Sequence, residues 1–469
     1  MSVRLRFAPS NTGFLHMGNA RTALFNYLYT RHHKGTFILR IEDTDLERSK
    51  PEYTDAILEA MDWMGMHADE GPYFQTQRTA IYKEKVDALL ASGNAYKCFA
   101  TKEELEVRRQ KAMESGGDLS AASRLWRDRD DHPEGAPFVV RFKSPLEGEL
   151  TIDDMVQGKV TVAASELDDF VILRSDGTPT YNFTVVVDDV LMEVTHIVRG
   201  DDHLNNAFRQ LPVYAALGAE PPRFGHLALV AGLSKRKGST SVPEYRALGY
   251  LSEAVNNYLA RLGWSHGDQE IFTMEELIEY FDFDHVGKSA SQFDLKKFQW
   301  VNAEWMKSLP AAVVAERWLP FLREAGLPAP EELDSAEFAH LTEITEALKG
   351  RAKTLVEMTE IGAFFFTDSL DYDEKAAEKW LVGQYAAAFE DLHAQLSALA
   401  DWNTEAIEAV YRELMEKHEL GLKHFAQPTR VCLTGSTSSP GVFETVALCG
   451  RERALARLAA GVERMKAAE

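Results

Sequence analysis

Cysteine is scarce in this sequence: 469 residues hold only Cys98, Cys432 and Cys449. Three widely spaced thiols make no disulfide framework, which fits a reducing cytosol. Long apolar runs are missing too. No segment approaches about 18 uninterrupted apolar residues, so no membrane span is expected. The opening MSVRLRF lacks a charged stretch followed by an apolar one. The protein is therefore expected to stay where it is made, in the cytoplasm. Positive charge is in deficit, with 51 Lys and Arg against 73 Asp and Glu and a net charge of -22. That balance argues against a protein that coats nucleic acid through bulk charge. It leaves room for a folded RNA met by local basic clusters, such as GLSKRKG at 232–238 and RERALARL at 451–458. Most such clusters are solvated faces. Internal repeats and long low-complexity tracts are absent as well.

What is present reads as a folded protein of two or more domains, 45% hydrophobic and 26% charged. VRLRFAP at 3–9 predicts a strand, and NARTALFNYLYTRHHKG a helix ending at Gly35. TFILRIEDTD at 36–45 predicts a second strand, and a helix follows from Pro51 with Ile57, Leu58, Met61 and Met64 at helical spacing. This is a βαβ unit with a parallel sheet. From about 80 to 180 the texture is that of an α+β insertion. TKEELEVRRQKAMES is helical, and FVVRFK, GKVTVA, DFVILR and TYNFTVVV are strand-like. SDGTP at 175–179 reads as a hairpin tip. VTHIVRGDDHLNNAFRQLPVYAALG returns to strand, tight turn and helix. From about 245 nearly everything is helical, and Ile407, Val410, Tyr411 and Leu414 share one helix face.

The loop SNTGFLHMGNART at 10–22 carries more than turn chemistry. It lies at the carboxyl end of a strand, where doubly wound sheets bind ligands. The helix after it offers free N–H groups and a positive dipole end to an anion. Gly13 and Gly18 allow close approach, and His16 can donate to a phosphate oxygen. The loop matches neither G-x-G-x-x-G nor a P-loop. On pattern alone, a capped turn with a surface histidine is an equal reading. Arg6 tilts the balance, because it sits in a strand buried on both faces and arginine is almost never buried unpaired. Either Glu42 or an acidic ligand is its expected partner. Arg199 poses the same question at the end of THIVRG, ahead of Asp201 and Asp202. Two arginines and several carboxylates at one sheet edge suggest a pocket for a small acidic zwitterion. GLSKRKG, bounded by glycines, suits a mobile clamp on polyphosphate.

FAPSNTGFLHMGNARTALFNYL resembles the H-I-G-H signature of class I aminoacyl-tRNA synthetases, and GLSKR their K-M-S-K-S loop. The resemblance is to bacterial glutamyl-tRNA synthetases. It continues through RIEDTD, PTYNFTVVVDD, IVRGDDHLNN, EYRALGYLSEAVNNYLARLGWS, FDLKKFQWVNAEWM and AQPTRVCLTGSTSSPGVFE, covering essentially the whole chain. It implies a Rossmann-type catalytic domain with an α+β insertion, followed by an all-α anticodon-binding region. The implied reaction is attack of glutamate on MgATP, then transfer of the glutamyl group from its adenylate to a tRNA 3′ end. By this resemblance His16, Gly18 and Lys235 are catalytic, and Asn19, Asp202, His203, Ser234 and Arg236 join them around ATP. Arg6, Ser10, Glu42, Tyr181 and Arg199 hold glutamate, with the arginines on its side-chain carboxylate and Glu42 on its ammonium. Arg351 is a candidate contact to tRNA, though a solvated basic face is an equal reading. A monomer is the family expectation.

The implied division is a catalytic domain at 1–79 and 181–230, an acceptor-stem insertion at 80–180, a stem-contact domain at 231–309, and helical subdomains at 310–375 and 376–469. Three departures stand out. Gly232 replaces the first lysine of the second signature, with Lys237 as a stand-in. Asn19 replaces the last histidine of the first. Cys98 has Ala100 where relatives with zinc have a second cysteine, so no structural zinc is expected and Cys98 reads as a small buried side chain. Two alternatives to a glutamate-tRNA enzyme stay open. One is a paralogue that charges glutamine tRNA with glutamate for later transamidation. The other is a non-catalytic tRNA-binding descendant. The helical tail disfavours the short glutamyl-queuosine enzymes and glutaminyl-tRNA synthetase.

Overall fold

In the computed structural model, which describes residues 2–45, 47–118, 120–233 and 240–468, the chain divides into two units. One is Met1–Ala247 with Ser252–Phe298, and the other is Leu248–Leu251 with Gln299–Glu469. The first begins with the expected alternation: β1 (Arg4–Phe7), α1 (Met17–His32), β2 (Thr36–Ile41), α2 (Pro51–Trp63) and β3 (Glu70–Phe74). Pro51 opens α2, where its missing N–H has no intrahelical partner to lose. Then come α3 (Thr79–Ala91), β4 (Ala95–Cys98), α4 (Lys102–Ser115), β5 (Val139–Phe142), β6 (Glu149–Asp154), β7 (Gly158–Ala163) and β8 (Val171–Leu173). Helix α4 starts in a capping box between Thr101 and Glu104. The core sheet resumes after α5 (Tyr181–Leu191) with β9 (His196–Gly200), α6 (Leu204–Ala216) and β10 (Arg223–Leu227).

The core sheet has the order β10-β9-β1-β2-β3, and all its pairings are parallel. The order reverses between β1 and β9, so the crevice beyond their carboxyl ends is the place for a ligand. The inserted strands form separate antiparallel pairings, β4-β5-β8 and the hairpin β6-β7. The first unit continues through β11 (Val230–Ala231), α7 (Val242–Ala247), α8 (Ser252–Arg261), α9 (Met274–Tyr280) and β12 (Ser291–Gln292), with β11 parallel to β12.

Two segments depart from the sequence reading. TYNFTVVV is not a strand but the first turns of α5. Burial overrides the β preference of its valines: Phe183 through Asp189 are all buried. Three consecutive valines read locally as a strand, because β-branched residues favour one. The SDGTP turn closes, with Arg174 N donating to Thr178 O at 2.9 Å, but its second arm is one bridge, Leu173 to Pro179, before α5 begins. Strand β6, unread in the sequence, supplies the partner of GKVTVA.

The second unit contains only helices among its described residues. They run from α10 (Leu295–Ser308), which starts in the first unit, through α11 (Ala311–Glu324), α12 (Ala336–Lys349), α13 (Leu355–Gly362), α14 (Glu374–Trp380), α15 (Ala386–Ala398), α16 (Thr404–Lys417), α17 (Leu422–Thr434) and α18 (Val442–Leu448) to α19 (Arg451–Ala467). Asn403 caps α16 by accepting from Ala406 N, and Ile407, Val410, Tyr411 and Leu414 form its buried face as expected. All three cysteines are buried and unbridged. Among the described residues, no helix is long and apolar enough to cross a membrane.

Asp188, fully enclosed in α5, accepts from Arg78 Nε at 2.7 Å, Tyr82 OH at 2.7 Å and Gln75 Nε2 at 3.0 Å. Asp188→Ala orphans all three donors and should destabilise the first unit by about 3–5 kcal/mol, measured by urea unfolding.

Candidate functional site

A cavity of about 370 Å³ opens at the carboxyl ends of β1 and β9. Its wall contains Arg6 and Ser10 from β1 and its loop, and His16, Gly18 and Asn19 at the start of α1. Glu42 follows β2, Tyr181 starts α5, and Arg199, Asp202 and His203 come from β9 and its turn. Ten residues singled out in the sequence therefore share one wall. Ser234, Lys235, Arg236 and Lys237 lie outside the described residues. Arg351 is exposed in the second unit.

Arg6 is 4% exposed, and the partner that it finds within the protein is Asp189 rather than Glu42. Its Nε donates to Asp189 Oδ1 at 3.1 Å. The same oxygen accepts from Arg40 Nη1 at 2.7 Å. Burial raises the Asp189 pKa, but the two guanidinium charges outweigh it and hold the carboxyl below its ordinary value. Arg40 then reaches Glu42, Nη2 to Oε1 at 3.4 Å. Burial lifts the Glu42 pKa above the usual range in spite of the pull of Arg40 and Arg6.

Arg199 is held on three sides. Its Nε donates to His226 Nε2 at 3.3 Å, and its Nη2 donates to Gln210 Oε1 at 3.0 Å and the His203 carbonyl at 3.4 Å. Gln210 is fixed in turn by Asn182. Nη1 is buried without a partner among the described residues. A carboxylate brought into the cavity would satisfy it, since a buried guanidinium N–H without an acceptor is costly. Tyr181 OH lies 3.2 Å from His203 Nδ1.

At the other end of the cavity, His16 is the N-cap of α1, with Nδ1 accepting from Gly18 N at 3.2 Å. With that lone pair in use, the neutral ring carries its proton on Nε2, a donor for an incoming oxygen. Burial lowers its pKa against the pull of Glu244, which keeps the ring neutral at physiological pH. No acid stands in the first turn of α1, so the helix start remains favourable to an anion. The pocket thus pairs a cationic, one-acid end with an anion-accepting helix start.

Residues 2–300 match the family model described as "tRNA synthetases class I (E and Q), catalytic domain". The chain belongs to this family. Residues 313–462 match an anticodon binding domain. A glutamate–tRNA ligase of Thermodesulfovibrio yellowstonii is 48% identical over 462 residues, which are 97% of this chain and 98% of the relative. One from Syntrophotalea carbinolica is 46% identical over 468 residues, 99% of each chain. The crystal structure of a glutamate tRNA ligase from Elizabethkingia meningosepticum, in complex with its amino acid, aligns over 99% of both chains. Its identity is 33% and its TM-score 0.87.

The departures from the family signatures have a structural setting. Gly232 has φ +86°, and a Cβ there would collide with the Gln292 side chain. A lysine here would have to displace the exposed Gln292 side chain and take a left-handed backbone conformation that side chains strain. Cys98 is 1% exposed, in a small cluster with Tyr96 and Trp126. Among the described residues no group of three His, Cys, Asp or Glu side chains is arranged to hold a metal.

The sequence reading missed Asp189, Gln210 and His226, which hold the arginines of the wall, and Arg40, which bonds Asp189 and Glu42. Part of the signal was there. Arg40 lies inside TFILRIE as Arg6 lies inside its strand, and two adjacent acids interrupt an apolar run at Asp188 and Asp189. Arg21 was missed as well. It lines the cavity and donates to the carbonyls of Leu262 and Ala228.

His16→Ala should lower stability at neutral pH by about 1 kcal/mol through loss of the cap. The folded pKa of His16 is depressed below 6.5, so its contribution is present above 6.5 and lost as the pH falls through the folded value. Unfolding curves of the two proteins should converge in acid.

Proposed function

We propose that this chain ligates L-glutamate to the 3′ end of tRNA, using MgATP to form glutamyl-adenylate, in the cytoplasm and as a monomer. The observation that carries the reading is the unpartnered Nη1 of Arg199 in a wall that also holds Arg6 and Glu42. Arg199 and Arg6 would take the side-chain carboxylate of glutamate, and Glu42 its ammonium. Tyr181 and Ser10 would complete the amino-acid end. The α-carboxylate is then free to attack the α-phosphorus, with pyrophosphate leaving. The chain's task is to align these atoms and to stabilise charge on the phosphates. His16 Nε2–H, Gly18, Asn19 and the start of α1 would meet the phosphates, and Asp202 and His203 the nucleotide. Lys235 and Arg236 would add positive charge as pyrophosphate departs, and the Ser234 hydroxyl would donate a hydrogen bond to it.

The second unit would read the anticodon. A groove of about 500 Å³ there is lined by Lys423, Arg430 and Glu444 beside apolar residues such as Leu422, Val442 and Phe443. Burial lowers the Arg430 pKa, and the like charge of Arg351 lowers it further. Two guanidinium groups within electrostatic reach favour a polyanion between them.

The test is charging with labelled glutamate on separate pure glutamate and glutamine tRNAs. Charging of glutamate tRNA is expected, and absence of charging on both overturns the reading. Arg199→Ala should lower kcat/KM for glutamate by about a hundredfold or more, with the KM for ATP little changed.

A further inference from the structure

Arg199 is oriented by a chain of two buried groups that do not themselves line the cavity. An arginine has only donors. Since Arg199 Nε donates to His226 Nε2, that nitrogen must carry a lone pair and the ring proton must sit on Nδ1. His226 Nδ1 lies 2.6 Å from Asp154 Oδ2, with both side chains 0% exposed. The other oxygen of Asp154 accepts from the backbone N–H of Val156 at 2.9 Å, Gln157 at 2.8 Å and His226 at 3.1 Å. The carboxylate therefore cannot rotate without orphaning three donors. Phe224 stacks on His226 at an interplanar angle of 10°, and the Arg199 guanidinium carbon lies 5.9 Å from the Phe224 ring centre. Asp154 ends β6 of the inserted hairpin, whereas His226 is on core strand β10. Met155 N also donates to Phe224 O at 2.8 Å, so the hairpin is bonded to β10 at this point.

We propose that Asp154 and His226 are positioning residues for substrate recognition: Asp154 selects the His226 tautomer whose Nε2 lone pair orients Arg199 toward the substrate's side-chain carboxylate. The proposal rests on the glutamate reading of the cavity. A histidine tautomer is set by the bond its other nitrogen makes. In Asp154→Asn the amide oxygen must stay on the three backbone donors, so the amide N–H₂ faces His226 Nδ1. The ring proton then moves to Nε2 and opposes Arg199 Nε–H. An Asp→Asn change is nearly isosteric, and the same tautomer inversion disables the histidine of serine-protease triads.

The first measurement is the nitrogen chemical shifts of His226 in the full-length protein labelled at histidine, with the signal assigned by its loss in H226Q. A neutral ring protonated on Nδ1 is expected at neutral pH. Protonation on Nε2, or on both nitrogens, overturns the proposal. The second is steady-state charging with D154N, H226N and H226Q. D154N and H226N should raise the KM for glutamate about tenfold to a hundredfold, the range for losing a buried hydrogen bond to a charged group. The KM for ATP and for tRNA should stay within a few-fold. H226Q, whose amide oxygen reaches the position of Nε2, should recover most of the glutamate KM. Equal damage by H226N and H226Q, or equal shifts in all three KM values, means a merely structural role and overturns the proposal. If D154N does not fold, the asparagine and glutamine variants of His226 decide together with the shifts. Failure of the unaltered protein to charge any tRNA refutes the glutamate ligase reading instead, since the tautomer is read without turnover.

Discussion

Two neighbouring aspartates on α5 balance arginines from three other segments. Asp189 takes Arg6 of β1 and Arg40 of β2, and Asp188 takes Arg78 from the turn after β3. Consecutive residues on a helix point about 100° apart, so one helix can serve two clusters at once. On a strand they would face opposite sides. The price of burying these charges is high, and only mutual pairing with added hydrogen bonds makes it bearable. Gln75 and Tyr82 supply such bonds to Asp188.

The cavity inherits its character from that network. Because Asp189 occupies Arg6 through Nε, the guanidinium is anchored from behind. Arg199 is anchored in the same manner, by His226, Gln210 and a backbone carbonyl, none of them acidic. Neutral acceptors hold the group in place without cancelling its charge, which stays available for an incoming carboxylate. Glu42 adds the one acid an ammonium would need. Preorganisation of this kind lets a small ligand bind without first ordering the side chains around it.

Much of the wall was legible in the sequence because its chemistry is written in short order. Strand ends carry Arg6, Glu42 and Arg199, and the loop before α1 carries His16. Buried arginines in apolar strands are unusual enough to mark a site by themselves. What holds those residues was less legible. Asp189 lies 183 positions from Arg6 in sequence, and His226 lies 27 from Arg199. Nothing local announces such pairs.

By itself the sequence determined the alternation of strand and helix in the first 65 residues, the return of the core sheet at β9 and the helical character beyond residue 245. Each has a periodic apolar face or a capping residue that acts over a few positions. Tertiary structure alone decided that TYNFTVVV is a helix, because packing overrode the strand preference of its consecutive valines. It also decided that the partner of Arg6 is Asp189, since α5 must first pack against the sheet before the two can meet. And it decided that the backbone at Gly232 is left-handed, a conformation that strains any residue with a side chain. Local pattern speaks through the few residues of one element, whereas these three outcomes depend on what a second element brings to the same place.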